Sequence, residues 1–379
     1  VKLSGFAAYA LGVIAGAALV AGCSSSAGLQ SSSQASTGFN PAGSSIAQPT
    51  GLRHRSHAVA DVAPHSDHHK SWVSADLAKT PALLFVSDYS NGDVYMMALP
   101  KLTLKGTLTG FSQPQSLCGD GHGDVWIPAT GSNQIFKYSH AGTLLATLTD
   151  PDGGPDGCAV DKTTGNLAVV NQYNGSGPSS APGEVLIYPH ASGSPVVYAT
   201  NTIYSYWNAT YDPQGNLYVD GCTSSSYCTF ALAELPAGSS QTLTPLNLTG
   251  GTIYFTGVVQ WDKFNNNLAI GDQECNGQGP PNETSCVYHA SVSGSSVTIA
   301  SMTPLNNSAG GASCDVDQPV IGRYYSRELI AGPDLEGSGY CGRTDTSIGR
   351  WDYPAGGSMT HQSTNAAFDE PVGAAISNR

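Results

Sequence analysis

Positive charge is scarce in this 379-residue chain: 15 Lys and Arg stand against 28 Asp and Glu, for a formal net charge of −13. Binding a phosphate backbone by counterion release needs clustered basic side chains. The longest basic cluster is Arg53-His54-Arg55, so a nucleic-acid partner is set aside. Charged residues of both signs make up only 11% of the chain. No pair of cysteines is spaced C-x-x-C, which removes the zinc ribbon and the thioredoxin-like redox site. There is no H-E-x-x-H, no phosphate loop and no G-x-S-x-G in a strand-turn-helix context. A Ser-His-Asp triad is defined by geometry rather than spacing and stays open.

What is abundant is turn chemistry. Gly numbers 45 and Ser, Thr and Asn are plentiful, the balance of a turn-rich β protein. The first 22 residues read as an export signal: one early Lys, an apolar run from Phe6 to Val20, then small residues before a cysteine. That run is shorter than the roughly 20 residues a spanning helix needs. Leu19-Val20-Ala21-Gly22-Cys23 resembles the bacterial lipobox, which implies cleavage before Cys23 and lipid attachment to its thiol. The implied address is exported and lipid-anchored, at the outer membrane or cell surface. Residues 23–75 are then an acylated cysteine and a Ser/Ala/His-rich tether. Its histidines His54, His57, His65, His68 and His69 have no carboxylate framework around them and are read as adventitious metal binders.

A period organises residues 76–379: an Asp, a short turn ending in Gly or Asn, then an apolar run. It reads Asp120-Gly-His-Gly-Asp-Val-Trp-Ile, Asp161-Lys-Thr-Thr-Gly-Asn-Leu-Ala, Asp212-Pro-Gln-Gly-Asn-Leu-Tyr-Val and Asp262-Lys-Phe-Asn-Asn-Asn-Leu-Ala, with a looser fifth copy from Asp317 to Arg327-Glu-Leu-Ile-Ala. Spacings of 41, 51, 50 and 55 residues suit one four-stranded blade each. Asp caps the turn between the inner strand a and strand b, and Gly supplies the positive φ. Leu83–Asp88 reads as a strand b with no strand a before it, and Pro371–Ser377 as a strand a with no strand b after it. Joined, they complete a sixth blade and close the ring. The expected fold is therefore an all-β, six-bladed propeller of four-stranded antiparallel blades.

Asn216-Leu-Tyr-Val-Asp220 and Phe85-Val-Ser-Asp-Tyr-Ser-Asn-Gly-Asp-Val94 resemble the strand b to strand c consensus of NHL repeats, and Gly154-Pro-Asp-Gly157 resembles a turn of the gluconolactonase (SMP-30-like) family. The gluconolactonase resemblance implies a divalent cation, Ca²⁺, near the central channel, with Asp156 as a ligand and Asn208 and Glu370 close by in sequence. The other units place Gln115, Trp207, Gly257, Ala312 and Val372 at the equivalents of Asp156, a donor-poor ring for a cation that prefers six to eight oxygens. No cofactor is otherwise implied.

Removing Cys23 leaves eight cysteines, an even number for an exported chain. The long segments 171–182, 221–228, 272–286 and 334–348 all fall in b-to-c loops, on one face. Mapping the cysteines onto this frame gives the expected pairs Cys222–Cys228, Cys275–Cys286, Cys314–Cys341 and, between adjacent inner strands, Cys118–Cys158. The same face collects Asp88, Asn171, Asp220, Asp272 and Asp334 at the ends of strand b, with Tyr173 and Trp207 near them. These residues are candidates for ligand contact, and the Asp set equally for bonding the turn backbone. The functional expectation is a membrane-anchored binding or interaction module for a peptide, glycan or envelope protein, with a metal-dependent lactonase or hydrolase as the alternative; the balance leans away from an enzyme.

Overall fold

Each apolar run behind an Asp-capped turn becomes a strand buried on both faces, and this two-sided burial builds the ring. In the computed structural model, which describes residues 70–175, 181–225, 228–240, 242–277, 284–335, 346–365 and 367–379, six antiparallel sheets form a six-bladed β-propeller. Blade 2 shows the plan: strand a is Cys118–Gly119, b is Val125–Ala129, c is Gln134–Tyr138 and d is Leu144–Thr149. Blade 3 uses Pro155–Val160, Leu167–Asn171, Val185–Tyr188 and Val196–Tyr198; blade 4 uses Ser205–Tyr211, Leu217–Cys222, Phe230–Leu235 and Thr244–Pro245. Blade 5 uses Thr256–Asp262, Asn267–Asp272, Cys286–Ser293 and Ser296–Asn306; blade 6 uses Val320–Tyr324, Arg327–Asp334, Ser347–Asp352 and His361–Thr364.

Blade 1 is made from both ends of the described chain. Its strands b to d are Ala82–Asp88, Asp93–Ala98 and Thr103–Thr109, and its strand a is Pro371–Asn378, paired from Ala82↔Asn378 to Asp88↔Pro371. Alternation along Ala82–Asp88 shows why the closure holds. Leu83 and Phe85 point into a cluster with Val125 and Ile127 of blade 2, while Leu84 and Val86 point into one with Leu329 and Ile348 of blade 6. The remaining blade junctions hold one apolar cluster each, so every blade is packed on both sides.

The repeated Asp does the same local work four times. Asp120 Oδ1 accepts from the backbone N–H groups of His122 and Asp124, Asp161 Oδ1 from Thr163, Asp212 Oδ1 from Gln214 and Asn216, and Asp262 Oδ1 from Phe264 and Asn265. The fifth copy is different. Asp317 lies before strand a of blade 6, at the opposite face, and that blade turns from a to b through Tyr324↔Arg327 with Tyr325 at φ 53°. A two-residue hairpin satisfies itself by positive φ and needs no capping carboxylate.

The Pro-x-Gly openings of two inner strands have a steric reason. A Cβ on Gly157 would collide with the Trp207 carbonyl of blade 4, and one on Gly373 would stand 2.6 Å from Ser116 Cα of blade 2. Inner strands approach that closely because they converge on the axis, where a cavity of about 160 Å³ runs between them.

Candidate functional site

Loops b-to-c and d-to-a emerge on one face, and the acidic residues at the ends of strand b anchor both kinds. Asp88 is fully buried; its carboxylate accepts from the N–H of Asn91 in the b-to-c turn at 3.1 Å, and from Asp369 and Glu370 in the d-to-a loop at 2.9 and 3.1 Å. Asp272 repeats this with Glu274, Tyr254 and Phe255, each at 3.0 Å. Burial pushes both carboxyls up, and the backbone donors pull them back. These two are clips holding the face together, with their oxygens already occupied.

Asp220 plays a variant of the role. The inner strand of blade 4 bulges between Tyr206 and Asn208, and Asp220 accepts from the Asn208 N–H at 2.9 Å and from the Thr256 hydroxyl of blade 5 at 2.5 Å. Complete burial pushes its carboxyl up to about 7 against the pull of those donors. Beside it, Asp156 accepts from Gln172 Nε2 at 2.5 Å, and Gln273 Nε2 bridges the Thr256 carbonyl at 2.8 Å and Asp317 at 3.1 Å. A polar belt thus links blades 3 to 6 around the channel mouth. Burial raises Asp156 well above the usual carboxylate range; Gln172 counters this, and the Asp317 and Asp220 charges add to it.

Of the residues expected around a channel cation, Asp156 is 1% exposed, with Oδ2 held by Gln172 and Oδ1 buried without a hydrogen-bond partner. Asn208 donates through Nδ2 to the Gly257 carbonyl, and Glu370 accepts from Ser90 at 2.6 Å. Tyr89 stands beside both Asp156 and Glu370, whose charges, after burial, raise its phenol. Among the described residues, no three His, Cys, Asp or Glu side chains gather as metal ligands.

The remaining face candidates also turn inward. Asn171 and Asp334 are fully buried, Tyr173 packs near Ser205, and Trp207 stands edge-on to Phe255 at 5.9 Å. Among the described residues, the aromatic exposed on this face is Tyr254, 43% exposed, which the strand-end pattern does not single out. Disulfides Cys222–Cys228 and Cys275–Cys286 close the b-to-c loops of blades 4 and 5, and Cys118–Cys158 ties the inner strands of blades 2 and 3. Cys314 is also disulfide-bonded; its expected partner Cys341, like Cys23, lies outside the described residues.

The two faces differ in their bases rather than their acids, since the turn-capping Asp120, Asp161, Asp212 and Asp262 put carboxylates on the opposite face as well. The loop face carries Asp88, Asp93, Asp369 and Glu370 of blade 1; Asp150, Asp152, Asp156 and Glu184 around blade 3; Asp220 of blade 4; Asp272 and Glu274 of blade 5; and Asp315, Asp317 and Asp334 of blade 6. Among the described residues its loops hold no Lys, Arg or His, whereas Lys101, Lys162, Lys263, His122, His140 and His190 all lie in loops of the opposite face. Sequence reasoning missed Glu184, Asp150 and Asp152. Burial, then the Asp152 and Asp150 carboxylates, push Glu184 up to about 7. The run Asp150-Pro-Asp-Gly-Gly154 in a d-to-a loop was the available signal.

No known sequence family matches the chain, and neither does any curated protein. Solved structures do. A chain of the nidogen/laminin complex superposes with a TM-score of 0.53 at 12% identity, covering 78% of this chain and 98% of that one. A protein of unknown function from Bacteroides caccae gives 0.55 at 14%, covering 79% and 100%. TolB from Acinetobacter baumannii gives 0.51 at 10%, covering 81% and 68%. At these identities the likeness establishes the propeller fold alone.

Proposed function

We propose that this chain is an exported, lipid-anchored binding propeller of NHL-like type that presents its acidic loop face to a partner carrying basic groups: a peptide, an envelope protein or an amine-bearing glycan. One observation carries the reading, the concentration of acidic, disulfide-closed loops on a face whose described loops hold no base. Loops held by covalent links lose less freedom on association. Carboxylates in low-dielectric walls focus a field that draws cationic partners and quickens their encounter. The disulfides indicate folding in an oxidising, extracytoplasmic compartment. Among the described residues no helix is long and apolar enough to cross a membrane, and the anchoring part of the proposal rests on Leu19–Cys23. At the channel mouth Asp156, Asp220 and Asp317 accept from Gln172, Thr256 and Gln273, bonds that favour a structural role for them over the lactonase reading.

The test is an array of immobilised peptides and glycans graded in charge, probed with the purified full chain at low and high salt. Binding confined to Lys-, Arg- or amine-bearing members and weakened by salt supports the proposal. Salt-insensitive binding, or a preference for acidic members, contradicts it.

A further inference from the structure

On the face opposite the acidic loops, blades 3 and 4 part to leave a cleft of about 300 Å³. Three turns frame its mouth: the a-to-b turns capped by Asp161 and Asp212, and the c-to-d turn of blade 4 that opens at Pro236. Gly215 stands at φ 87°, where an added Cβ would lie 3.5 Å from Ala237 Cβ and 3.6 Å from Asp161 Oδ2. The missing side chain leaves the gap between those two walls open.

The floor is apolar and the rim is polar. Ile187, Leu217 and Leu235 belong to the cluster between the two blades, and the rings of Tyr198 and Tyr211 pack against it from the cleft side. Both tyrosines are partly exposed, and among the described residues no hydrogen bond engages either hydroxyl. Burial, then the Asp161 charge, raises the Tyr211 phenol, which therefore stays a donor at ordinary pH. Asn166 accepts from the His190 N–H through Oδ1 at 3.0 Å, which leaves its Nδ2 to donate. Asp161 accepts from the Thr163 N–H at 2.8 Å and the Thr164 hydroxyl at 2.5 Å, and each carboxylate oxygen keeps a further lone pair. Among the described residues Asp161 is the one charged group on the walls, with no Lys, Arg or His beside it.

A ligand suited to these walls has an apolar face for the floor and the tyrosine rings, hydroxyls around its edge, and no negative charge. We propose that the cleft between blades 3 and 4 binds an uncharged sugar, with the Tyr198 and Tyr211 hydroxyls and Asn166 Nδ2 donating to its hydroxyl oxygens and Asp161 accepting from them. The volume is at the lower end of small-molecule sites, which suits a mono- or disaccharide. The site is independent of the partner proposed for the acidic face.

The test is saturation-transfer difference NMR on the purified full chain with glucose, galactose and mannose, each beside its own uronic acid. At least one neutral sugar should bind saturably, and its uronic acid should bind more weakly because Asp161 repels the added carboxylate. Tyr211→Phe keeps the ring and should weaken binding about threefold to tenfold, the worth of one neutral hydrogen bond. Ala237→Trp, at an exposed position on the mouth, should abolish it. Tyr254→Ser on the loop face should leave the affinity unchanged. Neither cleft substitution breaks a side-chain bond of the folded chain, so both variants should melt within a few degrees of the wild type. A folded wild type that binds none of the neutral sugars, a uronic acid that binds as tightly as its neutral sugar, or unchanged affinity in either folded cleft variant would overturn the site.

Discussion

The buried carboxyls make stability depend on pH in a direction opposite to the usual one. Complete burial pushes the Asp220 carboxyl up to about 7 in the folded chain, against 3.8 when unperturbed. Below pH ~4 it is protonated in both states and has no effect. Between ~4 and ~7 the folded state holds a proton that the unfolded state has lost, so stability falls as pH rises. Above ~7 the loss is complete. At 1.36 kcal/mol per pH unit, the difference amounts to on the order of 4 kcal/mol for Asp220. Glu184 and Asp156 are raised too and act in the same sense, whereas the lowered Asp76 is fully exposed beside Lys105 and offsets little. Denaturant unfolding at a series of pH values from 4 to 8, on wild type and Asp220→Asn, measures the effect. The Asn208 N–H and the Thr256 hydroxyl can still bond an amide at this position, so Asp220→Asn should fold, gain stability at pH 7.5 and lose much of the slope. A wild type that gains stability from pH 5 to 7, or an Asp220→Asn variant with an unchanged slope, would refute the reasoning.

Three further outcomes follow from the architecture. Deleting residues 371–379 removes the whole inner strand of blade 1, and thermal stability should collapse; a truncation melting within a few degrees of the intact chain would contradict the closure. Among the disulfides, Cys118–Cys158 spans 40 residues and Cys222–Cys228 spans 6. Chain-entropy arguments therefore put the loss on Cys→Ser replacement at about 4 kcal/mol for the first and about 2 for the second, an order that denaturant titration of the two paired variants would check. Gly157→Ala, whose Cβ would strike the Trp207 carbonyl, should cost about 1–3 kcal/mol or more by forcing inner strands apart; a neutral effect would mean the strands do not meet as described.

The ring was legible because its devices are local. An Asx-capped turn leaves an Asp and a Gly or Asn at fixed offsets, and a strand buried on both faces leaves an unbroken apolar run, as in Leu83–Val86. The split blade could be read because a lone strand b and a lone strand a remained unmatched. Blade 6 was misread at Asp317, since its hairpin Tyr324–Arg327 needs no capping Asp and left no signature. The face of Asp88, Asp220 and Asp272 followed from their place at strand ends, but their burial did not. Whether such a carboxylate meets solvent or three backbone N–H groups depends on d-to-a loops such as Asp369–Glu370, which come from another part of the chain. The same holds for Glu184 and Asp152, which are 32 residues apart in sequence and meet only once blades 2 and 3 are packed.

The central claim is that the acidic loop face receives the partner. It is tested most directly by placing a photo-crosslinking amino acid in living cells at Tyr254, exposed on that face, and separately at Tyr325, exposed on the opposite one. Discrete adducts from position 254 and none from 325 are the predicted result; adducts from 325 alone would contradict the account.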